Sequence, residues 1–248
     1  MSFRALCSDF YINQRVALKM DLPMRRDTVL AMFDRVRREH PWMERFRRYH
    51  NELALESAPR GTSGSQQQWV ALRKASVRSG SVNPETADDA LKLHRLVLEI
   101  CPYFLDISPL DIDHVELLYG FDLVAAGNHD AIVFRALMQN SPLASLADSP
   151  EAVVLECPPV LGIALDESCS LQAHIEVKTR TSTRQVRTGE YRDEPLSVYL
   201  TVRKYGPIND IKDLAAVQAL LVEKGEELVT SKIVPNVLMP IREAIVSG

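Results

Sequence analysis

The stretch His114–Gly127 reads HVELLYGFDLVAAG. Val115, Leu117, Tyr119, Phe121, Leu123 and Ala125 fall on every second position, with His114, Glu116, Gly120 and Asp122 between them. A period of two is that of a strand with one buried face. What precedes this strand gives it its place in the fold. Ile12, Val16, Leu18 and Met20 alternate with Asn13, Arg15 and Lys19, which predicts a first half-buried strand. Pro23 and Asp27 then open a helical pattern through Val29, Leu30, Phe33 and Val36, broken or restarted near Pro41.

The segments NELALES (51–57) and QQQWVALRKASVRSG (66–80) read as the next two strands, joined by APRGTSGS (58–65), whose glycine and serine content suits a mobile hairpin loop. Asn83 is placed as an N-cap and Pro84 as the first helical residue of a second helix. Ala87, Ala90, Leu91, His94, Val97, Leu98 and Cys101 follow three-and-four spacing along it. The order up to Gly127 is therefore β-α-β-β-α-β, the split βαβ arrangement of ferredoxin-like domains.

Residues 128–248 read as a second α+β unit. It has a helix over 129–139, strands near 152–165, 170–181 and 197–205, a helix over 210–222, and a last helical segment interrupted by Pro235 and Pro240. In the middle strand Leu171, Ala173, Ile175 and Val177 oppose Gln172, His174, Glu176, Lys178 and Arg180, so one face is wet. VALKMDLPMRRD (16–27) and VYLTVRKYGPIND (198–210) share a strand, a proline and an Asp placed to start a helix, a faint echo of two related halves. The predicted fold class is α+β, two ferredoxin-like or related halves (1–127 and 128–248) built on mainly antiparallel sheets. Open sheets leave edges, which makes a homodimer an expectation.

A chain of 248 residues, 46% of them hydrophobic, can bury a large core. Its formal charge of -4 argues against coating nucleic acid or an anionic membrane with the whole surface. The charge is uneven: residues 1–60 hold 12 Lys/Arg against 8 Asp/Glu, and residues 61–180 hold 8 against 16. Cys7, Cys101, Cys157 and Cys169 lack CxxC spacing, which fits a reduced cytoplasmic chain without a zinc knuckle. The stretch MSFRALCSDFYINQ (1–14) carries no apolar h-region and no run reaches membrane-spanning length, so neither export nor membrane insertion is expected. P-loop, dinucleotide, serine-hydrolase and HExxH motifs have no counterpart, so no cofactor is expected.

The tetrapeptide Gly127-Asn128-His129-Asp130 resembles the metal loop of calcineurin-like phosphoesterases. The resemblance implies Asn128, His129 and Asp130 as metal ligands, with His114 or His174 brought near by folding, and hydrolysis of a phosphate ester. It covers those four residues alone: the family's Asp-x-His, Gly-Asp and Gly-x-His motifs are absent. Turn chemistry accounts for the same residues without metal. Gly127 ends the strand, Asn128 caps the following helix, and Asp130 complements the dipole of its first turn. His94 reads as a hydrogen-bonded core histidine, and His174 with Glu176 as a solvated pair on a wet strand face.

Two basic sets remain. In RVRREHPWMERFRRYH (35–50), Arg35, Arg37, Arg38, Arg45, Arg47 and Arg48 are interleaved with Trp42, Phe46 and Tyr49. Arginine with aromatics can hold phosphates and stack on bases, while Asp34, Glu39 and Glu44 within helical reach point to an ion-paired helix face. Lys178, Arg180, Arg184 and Arg187 lead into TSTRQVRTGEYRDE (181–194), which reads as a long hairpin loop and a partner-binding flap. The expected function is non-enzymatic binding of a protein partner or small ligand through these two surfaces. Metal-dependent phosphoester hydrolysis is the alternative, and nucleic-acid binding through the arginine-rich helix a weaker one.

Overall fold

The computed structural model describes residues 3–59 and 66–247. Along the chain run β1 (Asp9–Leu18), α1 (Arg26–Glu39), β2 (Arg45–Tyr49), β3 (Glu52–Glu56), β4 (Gln67–Arg73), β5 (Ser76–Val82), α2 (Ala87–Phe104) and β6 (Ile112–Val124). There follow α3 (His129–Val133), β7 (Val160–Ala164), β8 (Leu171–Lys178), α4 (Thr183–Thr188), β9 (Pro195–Tyr205), α5 (Leu214–Leu228) and α6 (Met239–Val246). The architecture is mixed α+β. All the described strands join one antiparallel sheet in the order β2-β3-β4-β5-β1-β6-β9-β8-β7. The sheet continues across the junction near Gly127, because β6 pairs with β9 from His114↔Tyr205 to Val124↔Pro195.

Alternation decides which face is buried. Phe10, Ile12 and Val16 of β1, Leu117, Tyr119 and Phe121 of β6, and Val198, Leu200 and Val202 of β9 are all buried against the helices. Burying one such side chain contributes about 1.5–3 kcal/mol, so the shared face of these central strands is the main source of stability. α2 packs on β1 and β5, and α5 on β6 and β9. The approach of α5 is close because Gly225 has no side chain: a Cβ there would sit 2.3 Å from the Tyr119 ring. The opposite face carries Arg15, Arg78, Glu116, Arg203, His174 and Glu176, half-exposed or exposed apart from the ends of the ladders.

Several local expectations are corrected. The arginine-rich helix ends at Glu39; Pro41 disfavours helical backbone at His40, and the chain resumes as the strand β2. Arg45, Arg47 and Arg48 therefore lie on an edge strand, paired with β3 across a turn at His50-Asn51. The segment 66–80 forms a hairpin of β4 and β5 turning at Lys74-Ala75, where one strand was expected. Of the loop at 58–65, residues 60–65 lie outside the described residues.

The second helix is capped by Thr86, whose side chain accepts from the Asp89 amide. Asn83 instead adopts φ 47 and ties the helix entry to β1, accepting from the Phe10 amide at 3.0 Å. The strand expected from 152 begins only at Val160, since Pro158 and Pro159 precede it. The C-terminal helix also continues through Pro235. A π-helical stretch, Val229–Leu238, joins α5 to α6 there, and its wider turns ease the clash of the proline ring with the preceding turn.

Candidate functional site

A groove of about 650 Å³ lies between α1 and the β2–β3 hairpin. Its floor is apolar: Val29 and Leu30 come from α1, Leu53 and Leu72 from β3 and β4, and Phe46 from β2. Its rim carries Arg26, Arg48 and His50, and Glu52, whose carboxylate is engaged by Arg73 and Arg78. The register explains why these residues meet. Phe46 pairs with Leu55 and Arg48 with Leu53, so their side chains point to the helix side of the sheet at an edge that α1 only partly covers. Arg26 and Arg48 make no ion pair among the described residues. A cavity of this size with an apolar floor and a few polar groups at one end has the form of a small-ligand site.

The arginines expected as one surface are thus divided among three. Arg35 is held by Glu39 at 2.8 Å, and Arg38 is exposed on the outer side of α1. Arg45 and Arg47 point to the opposite sheet face from Arg48, with Arg45 across from Glu56 and Arg47 across from Ala54. Arg48 alone faces the groove. Alternation along β2 was the signal for this split; the proline at position 41 was the cue that the helical period had ended.

The second basic set also divides. Arg180 is committed to the sheet: its Nη1 donates to the Pro195 carbonyl and, at 2.9 Å, to Ser197 Oγ. Arg184 and Arg187 sit on α4, a single capped turn in which Ser182 accepts from the Gln185 amide and Gly189 ends the helix at φ 70. A cavity of about 510 Å³ lies between Arg180, Arg184, Tyr191 and Arg192, with Glu190 and Glu194 also on its wall. Lys178 is exposed at the end of β8.

Gly127 has φ 89 and Asn128 caps α3, its Oδ1 accepting from the amides of Asp130 at 3.0 Å and Ala131 at 3.2 Å. Its Nδ2 donates to the Val154 carbonyl at 2.8 Å. His129 and Asp130 are buried: His129 Nε2 meets the Ala125 carbonyl at 3.1 Å, and Asp130 Oδ1 accepts from the Cys157 amide at 2.7 Å. His129 Nδ1 and Asp130 Oδ2 have no hydrogen-bond partner. His114 is at the far end of β6, and His174 is on the polar face of β8 beside Gln172 at 3.2 Å. Among the described residues no group of three or more His, Cys, Asp or Glu could hold a metal ion.

The polar sheet face is centred on Glu116, a cluster sequence reasoning missed because its members come from three strands. Arg203 Nε lies at 2.7 Å, Arg15 Nη1 at 3.6 Å and His114 Nε2 at 3.5 Å from its carboxylate. Burial raises its pKa, but the His114 contact and the charges of Arg203 and Arg15 outweigh that and hold it at about 2. Alongside, Glu52 takes Arg73 at 2.5 Å and Arg78 at 3.8 Å. The charges on this face largely satisfy one another, whereas those on the groove rim do not.

No family model matches this chain, and neither does any curated protein.

Proposed function

We propose that the protein is a non-enzymatic binding protein whose ligand is a small amphipathic anion, an apolar body with a carboxylate or similar head. The observation that carries this is the groove between α1 and the β2–β3 hairpin, with its apolar floor and its two unpaired guanidinium groups, Arg26 and Arg48, at the rim. Arginine is suited to hold a carboxylate in a forked, bidentate pair, and the Phe46, Leu53 and Val29 side chains would shield the tail from water. Met24 and Phe46 are exposed along the groove and add apolar surface for the tail.

Calorimetric titration with dodecanoate tests it. Wild-type protein should bind, the neutral alcohol of the same length should bind more weakly, and the double reversal Arg26→Glu/Arg48→Glu should lose on the order of tenfold in affinity or more. Both arginines are on the surface, so the variant should keep its fold. Absence of dodecanoate binding, or binding indifferent to the reversal, rules the proposal out.

The strand order supports reading residues 1–127 as a ferredoxin-like unit carrying an added hairpin. β4-β5-β1-β6 reproduces the split βαβ order, with α1 and α2 side by side, and β2–β3 is inserted between α1 and β4. On this reading the groove belongs to the insertion. A family of ferredoxin-like modules could then share the sheet and differ in the site.

A further inference from the structure

The two edges of the sheet are built differently. β2 carries Arg45, Arg47 and Arg48, so a second β2 laid against it would bring like charges together, a device that keeps edges from self-pairing. β7, at the other edge, is Val160-Leu161-Gly162-Ile163-Ala164, with no charged residue. It is exposed along its whole length: Val160 is 69%, Leu161 60% and Ile163 37% accessible.

The backbone of β7 has a symmetry that bears on what could cover it. Val177 N–H donates to the Pro159 carbonyl at 3.0 Å and Leu165 N–H to the Leu171 carbonyl at 2.7 Å. Leu161 lies across from Ile175 and Ile163 across from Ala173. Pro159, Leu161, Ile163 and Leu165 therefore direct their polar backbone groups towards β8. Those of Val160, Gly162 and Ala164 point away from the sheet, and these residues are placed evenly about Gly162.

We propose that β7 is the interface of a twofold homodimer, in which the β7 strands of two copies pair antiparallel about Gly162. A twofold axis normal to the sheet makes the pairing antiparallel by symmetry, which continues the ladder every other strand obeys. In that register Gly162 meets Gly162 of the second copy and Val160 meets its Ala164, so every outward N–H and C=O gains a partner. On the helix side, Leu161 of each copy meets Ile163 of the other, beside Ile175. Charge decides between the edges: the uncharged β7 accepts its own copy, and the arginines of β2 refuse theirs. A ladder of this length is smaller than the ~1,600 Å² of a standard interface, so the dimer forms reversibly with concentration.

Sedimentation equilibrium from about 1 μM to about 1 mM, the span between tight and weak association, tests the proposal. The average mass should rise from one chain towards two. Leu161→Lys/Ile163→Lys, which replaces accessible side chains and would set lysines against each other across the axis, should remain one chain throughout; circular dichroism checks that it is folded. Hydrogen exchange at the amides of Val160, Gly162 and Ala164 should slow as concentration rises. A wild-type mass of one chain at every concentration overturns the proposal. So does a dimer that withstands both lysines, or one in which those amides exchange as fast as in the monomer.

Discussion

The ring of Tyr11 on β1 occupies the space a side chain on Gly120 of β6 would need: a β-carbon on Gly120 would sit 2.1 Å from Tyr11 Cε2. The two residues are directly paired across the strands, and Tyr11 reaches on to Asp122, its hydroxyl donating at 3.3 Å. Trp69 covers Gly80 in the same manner between β4 and β5. Each aromatic thus shields a ladder position that has no side chain of its own. Gly120→Ala should destabilise the fold by about 1–3 kcal/mol, because the ring is displaced from its place on the sheet. The penalty should shrink in the background of Tyr11→Ala, and urea unfolding of the four proteins in that cycle measures the difference.

His94 sets a limit on acid stability. Its Nε2 donates to the Ile12 carbonyl at 3.1 Å, which leaves Nδ1 to accept from the Ser79 hydroxyl at 2.7 Å. Burial pushes its pKa down to about 4, from 6.5. The unfolded chain therefore takes up this proton first. Stability is complete above pH 6.5, falls as the pH drops towards 4, and levels below that, a loss of about 3 kcal/mol from this group. Comparing urea midpoints at pH 7 and pH 4.5, wild type should lose more than His94→Gln, although the variant starts lower. Equal losses would show that His94 takes up its proton as readily in the fold as in the unfolded chain.

Glu116 acts in a lower window and with the opposite charge. Its pKa falls from 4.5 to about 2, so its contribution is intact above 4.5 and is lost as the pH falls through 2. Glu116→Gln should flatten the unfolding profile between those values. At neutral pH it should cost about 1–3 kcal/mol, since Arg203 and Arg15 would keep their charges without the carboxylate between them. Thermal unfolding of both proteins across that range is the check.

Asn128→Ala should cost about 1 kcal/mol, the usual value of an N-cap, and somewhat more where the bond to the Val154 carbonyl is also lost. Asn128→Asp keeps the acceptor for Asp130 and Ala131 but sets an oxygen against the Val154 carbonyl, so it should recover only part of the deficit. Elemental mass spectrometry of protein purified without chelator separates capping from metal binding at this turn, because a phosphoesterase centre requires stoichiometric manganese, iron or zinc.

What the sequence disclosed followed from periodicity. The strand 114–127 and the stripe through Ala90, Val97 and Cys101 were legible because one face of each is continuously buried. Boundaries were lost where a local signal had two outlets. Asn83-Pro84 has the chemistry of a helix start, yet Asn83 is spent on the Phe10 amide and Thr86 takes the cap. The hairpin of β4 and β5 has the sequence of a single strand because Lys74-Ala75 carries no glycine, proline or asparagine to mark the turn. The groove rim was half visible: Arg48 was singled out, but Arg26 joins it only through the packing of α1 beside the hairpin. The Glu116 cluster left no trace in local spacing, since Arg15 and Arg203 reach it from opposite ends of the chain.

The order of strands has a consequence in time. β1 is made first, but two of its partners come late: on the sheet Tyr11 meets Asp122 of β6, 111 positions away, and from helix α5 Gln218 donates a hydrogen bond to Gln14, 204 positions away. At about 5–20 residues per second, a ribosome needs roughly 5–20 s to supply the first of these partners and about twice that for the second. During that interval β1 can gain β5 on one edge, but its other edge stays open until β6 is made, and its apolar side waits for α5. Contacts of such long range also make the final collapse slow, because the loops they close must be ordered before they are rewarded. The centre of the finished sheet is therefore the part of the nascent chain that waits longest for its neighbours, and the part a chaperone would have most reason to hold.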